Sequence, residues 1–211
     1  LTIAEAAGST GSYSIGNGQL HVDGTILIGA NGAGTMTVGA GAVVTTNFLD
    51  VGFFGTTGNG TLNVNGGAIT VANNLVVGNP LGNVGTVNHS AGSIQVNDTF
   101  FGVGIDQGTY KMTGAGASLV VVNSVYVGNA GGTGLFEQSA GSVQVGGSLV
   151  VGQAAGAVGT YTTSGGTTTV TGAVVLAANP GATGTLNVSG GALSAASMTV
   201  NAGGTLNYSG G

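Results

Sequence analysis

The sequence predicts an all-β protein, a right-handed parallel β-helix (β-solenoid) with three short strands in each coil of about 25 residues. First, a phrase that opens with Gly-Thr or Gly-Leu recurs every 23 to 26 residues along the chain. Second, apolar residues alternate with polar ones in three short bursts per repeat, which is the periodicity of a strand. Third, 46 glycines and many β-branched residues oppose a helix.

The repeat extends over the whole chain. Its clear copies begin at Gly34, Gly60, Gly85, Gly108, Gly134, Gly159 and Gly184. Gly11 opens a degenerate earlier copy, and Gly204 opens a truncated last copy. We therefore expect residues 1–211 to form a single solenoid domain of eight to nine coils, with incomplete coils at both ends.

Each repeat contains three predicted strands. In residues 60–78 the inward residues are Leu62 and Val64 in the first strand, Ile69 and Val71 in the second, and Leu75 and Val77 in the third. Such strands cannot bury their apolar faces alone, so we expect equivalent residues of successive coils to stack in columns. Parallel crossovers favour a right-handed coil.

Glycine pairs separate the first and second strands, at a corner where we expect positive φ angles. They include Gly66, Gly67, Gly165, Gly166, Gly190 and Gly191. The variable stretches 52–59 and 104–107 are predicted to lie at the third corner, where insertions can project.

Composition argues against several classes of function. Only 3% of the residues are charged, the net charge is -5, and Lys111 is the one basic residue, so we expect no nucleic-acid binding. No apolar run approaches the roughly 18 residues of a membrane-spanning helix, so we expect no membrane insertion. A chain that begins at Leu1 rather than Met is expected to be a mature or trimmed segment of an exported protein.

The repeats resemble a known class of bacterial proteins. Residues 134–166, GLFEQSAGSVQVGGSLVVGQAAGAVGTYTTSGG, are similar to the β-strand repeats of autotransporter passengers and of PEP-CTERM-type exported proteins. The resemblance covers nearly the whole chain and implies an extracellular or cell-surface β-helix.

No pattern in the sequence indicates catalysis. The six acidic residues lie in different repeats and mostly at different phases of the coil, whereas glycosidase chemistry needs two carboxylates about 5 to 10 Å apart on one face. His89 falls at an inward position and is expected to be a hydrogen-bonded core residue, and His21 is expected to face outward. We therefore predict no enzyme, no cofactor and no metal centre, beyond an incidental ion at Asp98 or Asp106.

Three surfaces are candidates for binding. The first is the pair of ends, where no polar cap is recognisable: we expect either unpaired strand edges there or a chain that is a window on a longer repeat array. The second is an outward apolar stripe on the third strands, which we expect to be interrupted by Gly102 and flanked by Asp50. The third is a projecting corner. The candidate residues are Leu1, Ile3, Leu206 and Tyr208 at the ends, Val76, Tyr126, Val150 and Val175 in the stripe, and Phe53 and Phe54 at the corner.

Three functional hypotheses follow. The leading one is a structural extracellular protein that assembles with itself head-to-tail, and also laterally, into a fibre or surface layer. The alternative is a passenger adhesin that binds a host or matrix glycan or protein through its Thr/Asn face or through Phe53 and Phe54. Ice binding by the outward threonines is weaker, because Lys111, Leu135 and Glu137 interrupt a regular plane.

Overall fold

The computed structural model describes residues 1–53, 55 and 57–210, and within them every regular element is a β-strand. Eighteen strands form one continuous parallel sheet that winds into a solenoid. The strands are β1 (Thr2–Ile3), β2 (Thr10–Ile15), β3 (Gly18–Ile28), β4 (Ala33–Gly39), β5 (Ala42–Val51), β6 (Asn59–Val71), β7 (Leu75–Val77), β8 (Val84–Val96), β9 (Gly102–Ile105), β10 (Gly108–Met112), β11 (Ala117–Val121), β12 (Ser124–Val127), β13 (Thr133–Gln138), β14 (Ser142–Val145), β15 (Leu149–Val151), β16 (Val158–Leu176), β17 (Thr183–Val200) and β18 (Gly204–Tyr208).

The strand pairings define three faces. The first face runs from β2 to β18 through the starts of β6, β8, β16 and β17. The second face runs from residues 18–22 of β3 to residues 192–195 of β17. The third face runs from β1 to residues 197–200 of β17. Long strands such as β6 and β16 bend around corners and therefore contribute to more than one face.

Equivalent residues of successive coils are stacked as the repeat predicts. Leu62 pairs with Val87, and Val87 pairs with Tyr110. Each outward position likewise lies beside its counterpart in the next coil, so that Thr61 pairs with Thr86 and Asn63 with Asn88. The parallel β-solenoid predicted from the periodicity is confirmed. At the two ends of the described residues, β1 lies on the third face and β18 on the first.

The inward columns form one continuous hydrophobic core. In its centre three aromatic rings of the first face lie flat on one another. The ring centroids of Tyr110 and Phe136 are 4.8 Å apart, and those of Phe136 and Tyr161 are 4.7 Å apart. All three side chains are fully buried. This spacing equals the spacing of neighbouring strands, so stacking of the rings reinforces the strand register.

Polar groups in the core satisfy one another. His89 is completely buried, and its Nε2 donates to the carbonyl oxygen of Gly92 at 3.0 Å while Nδ1 accepts from the Tyr110 hydroxyl at 2.8 Å. Burial lowers the pKa of His89, and the Gly92 hydrogen bond opposes that shift. The prediction of a hydrogen-bonded core histidine is confirmed.

A second buried polar cluster joins two faces. The Thr168 hydroxyl donates to Oε1 of Gln138 at 2.6 Å, and the Tyr161 hydroxyl lies 2.8 Å from Oγ1 of Thr168. The Gln138 amide donates to the carbonyl of Thr167 at 3.0 Å. The Tyr161 hydroxyl also donates to Oε1 of Gln138 at 3.1 Å, so removal of the Thr168 hydroxyl leaves each of these two buried groups with one hydrogen bond fewer.

Glycine occupies tight positions at two of the three corners, although Ala177 takes the place after the third strand in one coil with φ 54°. At the first corner Gly66, Gly166 and Gly191 have the expected positive φ, at 131°, 80° and 77°, whereas their neighbours Gly67, Gly165 and Gly190 do not. The end of the third strand imposes a stricter requirement that the sequence analysis did not identify. Gly78 has φ 78°, and a Cβ there would lie 1.7 Å from the carbonyl oxygen of Gln107 in the next coil. Only a residue without a side chain fits that position.

One predicted loop is wrong. Gly104 and Ile105 belong to β9 on the third face rather than to the third corner. The extra residues of this coil lie instead at the second corner, in residues 97–101. There the Asp98 carboxylate accepts hydrogen bonds from the backbone amides of Phe100, Phe101 and Gly102 at 2.7 to 3.2 Å.

Replacement of Thr168 by valine tests the buried polar cluster. We expect Thr168→Val to lower the free energy of unfolding by about 1–3 kcal/mol, because Gln138 and Tyr161 each lose a buried partner. Thr169→Val is the matched control, since Thr169 is the next residue and is exposed. Urea denaturation of both variants measures the difference, and equal losses would contradict a role for the cluster.

Candidate functional site: the ends of the solenoid

The N-terminal end presents one unpaired strand edge on each face, within the part of the chain described. The third-face strand β1 pairs only with Leu27 and Ile28. The first-face strand β2 pairs only with β4, and residues 18–22 pair only with β5. The edges that face away from the molecule carry backbone groups without a neighbouring strand, a template for further strand pairing.

The C-terminal end has the same character. Among the described residues, β18 pairs only with residues 184–188 of β17. Residues 192–195 and 197–200 of β17 pair only with β16. The last coil therefore leaves open edges on the second and third faces, and β18 adds one open edge on the first.

Apolar side chains are exposed at these ends. Leu1 is 40% exposed, Leu206 43% and Tyr208 66%. Ile3, by contrast, is buried, and it is the first residue at the N-terminal end of the inward column that continues with Ile28. At the C-terminal end, Met198 and Val200 are also exposed. A cleft of about 360 Å³ opens there, and its apolar lining includes Leu193, Met198, Leu206 and Tyr208. The four predicted end residues thus lie at the two open ends.

The predicted apolar stripe forms one column on the outside of the third face. Asp50, Val76, Gly104, Tyr126, Val150 and Val175 lie side by side in register. Gly104, and not Gly102, therefore interrupts the stripe.

The stripe is largely covered by the protein itself. Val76 and Val150 are buried, at 6% and 8% exposure, and Tyr126 and Val175 are half-buried. The ring of Phe101 stacks on Tyr126 at 4.8 Å and lies over Gly104. The apolar surface of the stripe that remains exposed to a lateral partner is therefore smaller than the sequence predicted.

Of the two phenylalanines in the predicted projecting corner, the structure describes one. Phe53 is half-buried and lines a shallow cleft with Phe48, Asp50 and Val76, whereas Phe54 lies outside the described residues. Two other corner residues project instead: Phe100 is 93% exposed and Leu81 is 73% exposed. The sequence analysis did not single out either residue, although both occur in irregular stretches of the repeat.

Two carboxyl groups are buried. Burial raises the pKa of Asp50 to about 7, in a site where Leu27 and Val76 are its neighbours in the column. Burial also raises the pKa of Asp106 to about 6, and a hydrogen bond to Asn129 opposes this shift. Among the described residues, Oδ1 of Asp106 has no hydrogen-bond partner.

His21, Lys111 and Glu137 lie on the outside of the solenoid. His21 faces outward as predicted, with Nδ1 2.6 Å from the Thr45 hydroxyl and Nε2 2.7 Å from the Asp23 carboxylate. Lys111 and Glu137 form an ion pair at 3.3 Å on the first face. Within residues 1–53, 55 and 57–210, no three His, Cys, Asp or Glu side chains are grouped so as to hold a metal ion.

Comparison with known proteins yields no match among protein-family models, curated proteins or solved structures. Across the described residues, no helix has the length and apolar character needed to cross a membrane. The candidate site that the geometry supports is the set of strand edges without a partner at the two ends of the described residues.

Removal of the buried charge at Asp50 tests its environment. The pKa of Asp50 in the folded state lies above the ordinary value of 3.8. The favourable contribution of Asp50 to the free energy of unfolding is therefore fully present below pH 3.8, and it is lost as the pH rises through about 7. We expect Asp50→Asn to raise the free energy of unfolding by about 2–4 kcal/mol at pH 8 and to change it little at pH 4.

Glu5→Gln, at an exposed loop position, serves as the control for a change in net charge. Thermal denaturation at both pH values measures the effect. An Asp50→Asn variant with the same small effect at pH 8 as at pH 4 would contradict the burial of an ionisable carboxyl group.

Proposed function

We propose that this chain is an exported, non-enzymatic structural protein that assembles head-to-tail through its open ends into an extracellular fibre or surface layer. The observation that carries this proposal is that each end exposes strand edges belonging to the same three columns of residues. Backbone pairing between the last coil of one copy and the first coil of the next is a form of β-strand addition.

The strand register specifies which residues would meet at such a junction. The first-face column that ends at Leu206 begins at Tyr13 in the next copy, because Leu206 pairs with Leu186 and Tyr13 with Met36 in the same inward column. The third-face column that ends at Val200 begins at Ile3. Each pair is apolar, so assembly would continue the hydrophobic core across the junction.

Low charge favours this association. With 3% charged residues, little electrostatic repulsion opposes the approach of two copies. None of the residues that line the C-terminal cleft is charged. Edge strands of soluble proteins are commonly protected by lysine or by inward-pointing charges, and the described end strands have neither.

An adhesin is the second candidate, and the exposure of Phe100 and Leu81 favours it. Both side chains project from corners into solvent, where an aromatic and an aliphatic group can pack against a sugar ring or a protein surface. Monomeric protein that binds a glycan or matrix protein, and loses that binding on Phe100→Ala, would favour this function over assembly.

A charge placed in the terminal column tests self-assembly. We expect the wild-type chain to form concentration-dependent oligomers in sedimentation velocity experiments, and Leu206→Glu to remain monomeric, because the carboxylate would be buried against Tyr13 of the next copy. Val122→Glu is the matched control, since Val122 is 45% exposed but lies in the middle of the solenoid. Wild-type protein that stays monomeric at high concentration would contradict the proposal.

A further inference from the structure

One acidic residue points to the outside of the third face and is nevertheless shielded from water. In β5 the side chains of Leu49 and Val51 belong to the core, so that of Asp50, which lies between them, points outward. A carboxyl group on the outside of a sheet is ordinarily solvated, but Asp50 is only 6% exposed. The residues around it therefore cover most of the carboxyl group.

The strand register identifies these residues. Leu27 and Val76 are the neighbours of Asp50 in the coils before and after. Phe48 lies two residues earlier in β5 and shares the outward side, whereas Phe53 follows Asp50 at the third corner. One cleft of about 280 Å³ is lined by Thr25, Phe48, Asp50, Phe53, Asn74 and Val76.

The carboxyl group of Asp50 has no positive partner within the described residues. Burial is the cause that raises its pKa to about 7, and no hydrogen bond or positive charge opposes that shift. The cationic groups of the chain are engaged elsewhere: Nζ of Lys111 pairs with Glu137 at 3.3 Å, and the amino group of Leu1 donates to the carbonyl oxygen of Thr25 at 3.0 Å. A buried carboxylate without a partner is costly, so the cleft favours a cation supplied by a ligand.

The residues that line the cleft indicate which kind of cation fits. A calcium ion takes six to eight oxygen ligands, commonly from several carboxylates, whereas Asp50 is the one carboxylate in the described lining. An ammonium group needs one carboxylate and can use its other two N–H donors on neutral oxygens, such as those of Thr25 and Asn74. Its positive charge is attracted to the faces of aromatic rings, which Phe48 and Phe53 can supply. The volume of the cleft suits a group of side-chain size.

We propose that the cleft at Asp50 is a binding site for a primary alkylammonium group, whose nitrogen donates to the Asp50 carboxylate while its methylene groups pack against Phe48 and Val76. A free alkylamine and a lysine side chain share this chemistry. The site lies on the side of the solenoid, where β5 is paired on both edges, with β3 and with β7. It therefore rests neither on the ends of the chain nor on the proposed assembly.

Titration with n-butylammonium chloride tests the site. In NMR spectra of the ¹⁵N-labelled protein at pH 8 we expect saturable shifts of the backbone amides of residues 48–52 and 74–76. Butanol has the same apolar chain without the charge, and it should bind at least about tenfold more weakly because it leaves the carboxylate unpaired. Nα-acetyl-lysine methylamide distinguishes the two sources: affinity at least equal to that of butylammonium identifies a lysine side chain, and weaker binding identifies a free amine.

The affinity for butylammonium should also depend on pH. It should increase about 100-fold from pH 5 to pH 8 as Asp50 ionises, because an alkylamine with a pKa near about 10.4 stays protonated over this range. Two elements that pack against β5 carry titratable side chains. His21 and Asp23 of β3 pair with each other at 2.7 Å, and His89 of β8 is buried in the core. The Asp50→Asn variant controls for these groups, since it should lose the pH dependence.

Two further comparisons assign the binding to this cleft. Asp50→Asn should abolish binding at pH 8, and its expected gain in stability shows that the loss is not caused by unfolding. Asp106→Asn is the matched control, because Asp106 is 5% exposed but lies outside the cleft, and it should bind as the wild type does. Phe48→Leu should weaken binding about threefold through loss of the ring. Unchanged binding by Asp50→Asn, equal affinity for butanol, or shifts spread along the whole solenoid would overturn the inference.

Discussion

The in-register backbone pairing of successive coils is the constraint on which the rest of the structure depends. Because each residue of the first face pairs with its counterpart in the next coil, side chains of one kind meet their own kind: Thr61 beside Thr86, and Phe136 between Tyr110 and Tyr161. Like residues in one column require that charges be rare, since equal charges at about 4.8 Å would repel along the whole column. Composition, core and surface all follow from this pairing.

The same pairing explains the ends. A closed barrel satisfies every strand, whereas a solenoid must end in unpaired edges unless a cap covers them. Among the described end strands only β3 carries a charged residue, Asp23, so a second copy meets a surface much like the one between two coils of a single chain.

Most of the fold could be predicted from the periodicity. Residues such as Leu62 and Val77 have counterparts at the same position in many copies of the repeat, so one irregular copy does not obscure the pattern. Departures from the repeat could not be predicted in this way. Asn83 resembles an ordinary loop residue, yet it is fully buried and bridges Gly58 and Ala30. Phe101 covers the stripe only because residues 97–101 form a longer corner. Incomplete bursts at Leu1 and Leu206 are visible in the sequence, and the prediction that these residues lie at the ends depends on them.

The central claim is that residues about 25 apart are stacked along one axis. Because the chain contains no cysteine, spin labels can be attached solely at Thr35→Cys and Thr185→Cys, two half-exposed positions of one outward column that are six coil steps apart. Pulsed electron paramagnetic resonance should give one narrow distance distribution centred near about 29 Å, six strand spacings. A distance below about 20 Å, or a distribution without a defined maximum, would contradict the stacked column.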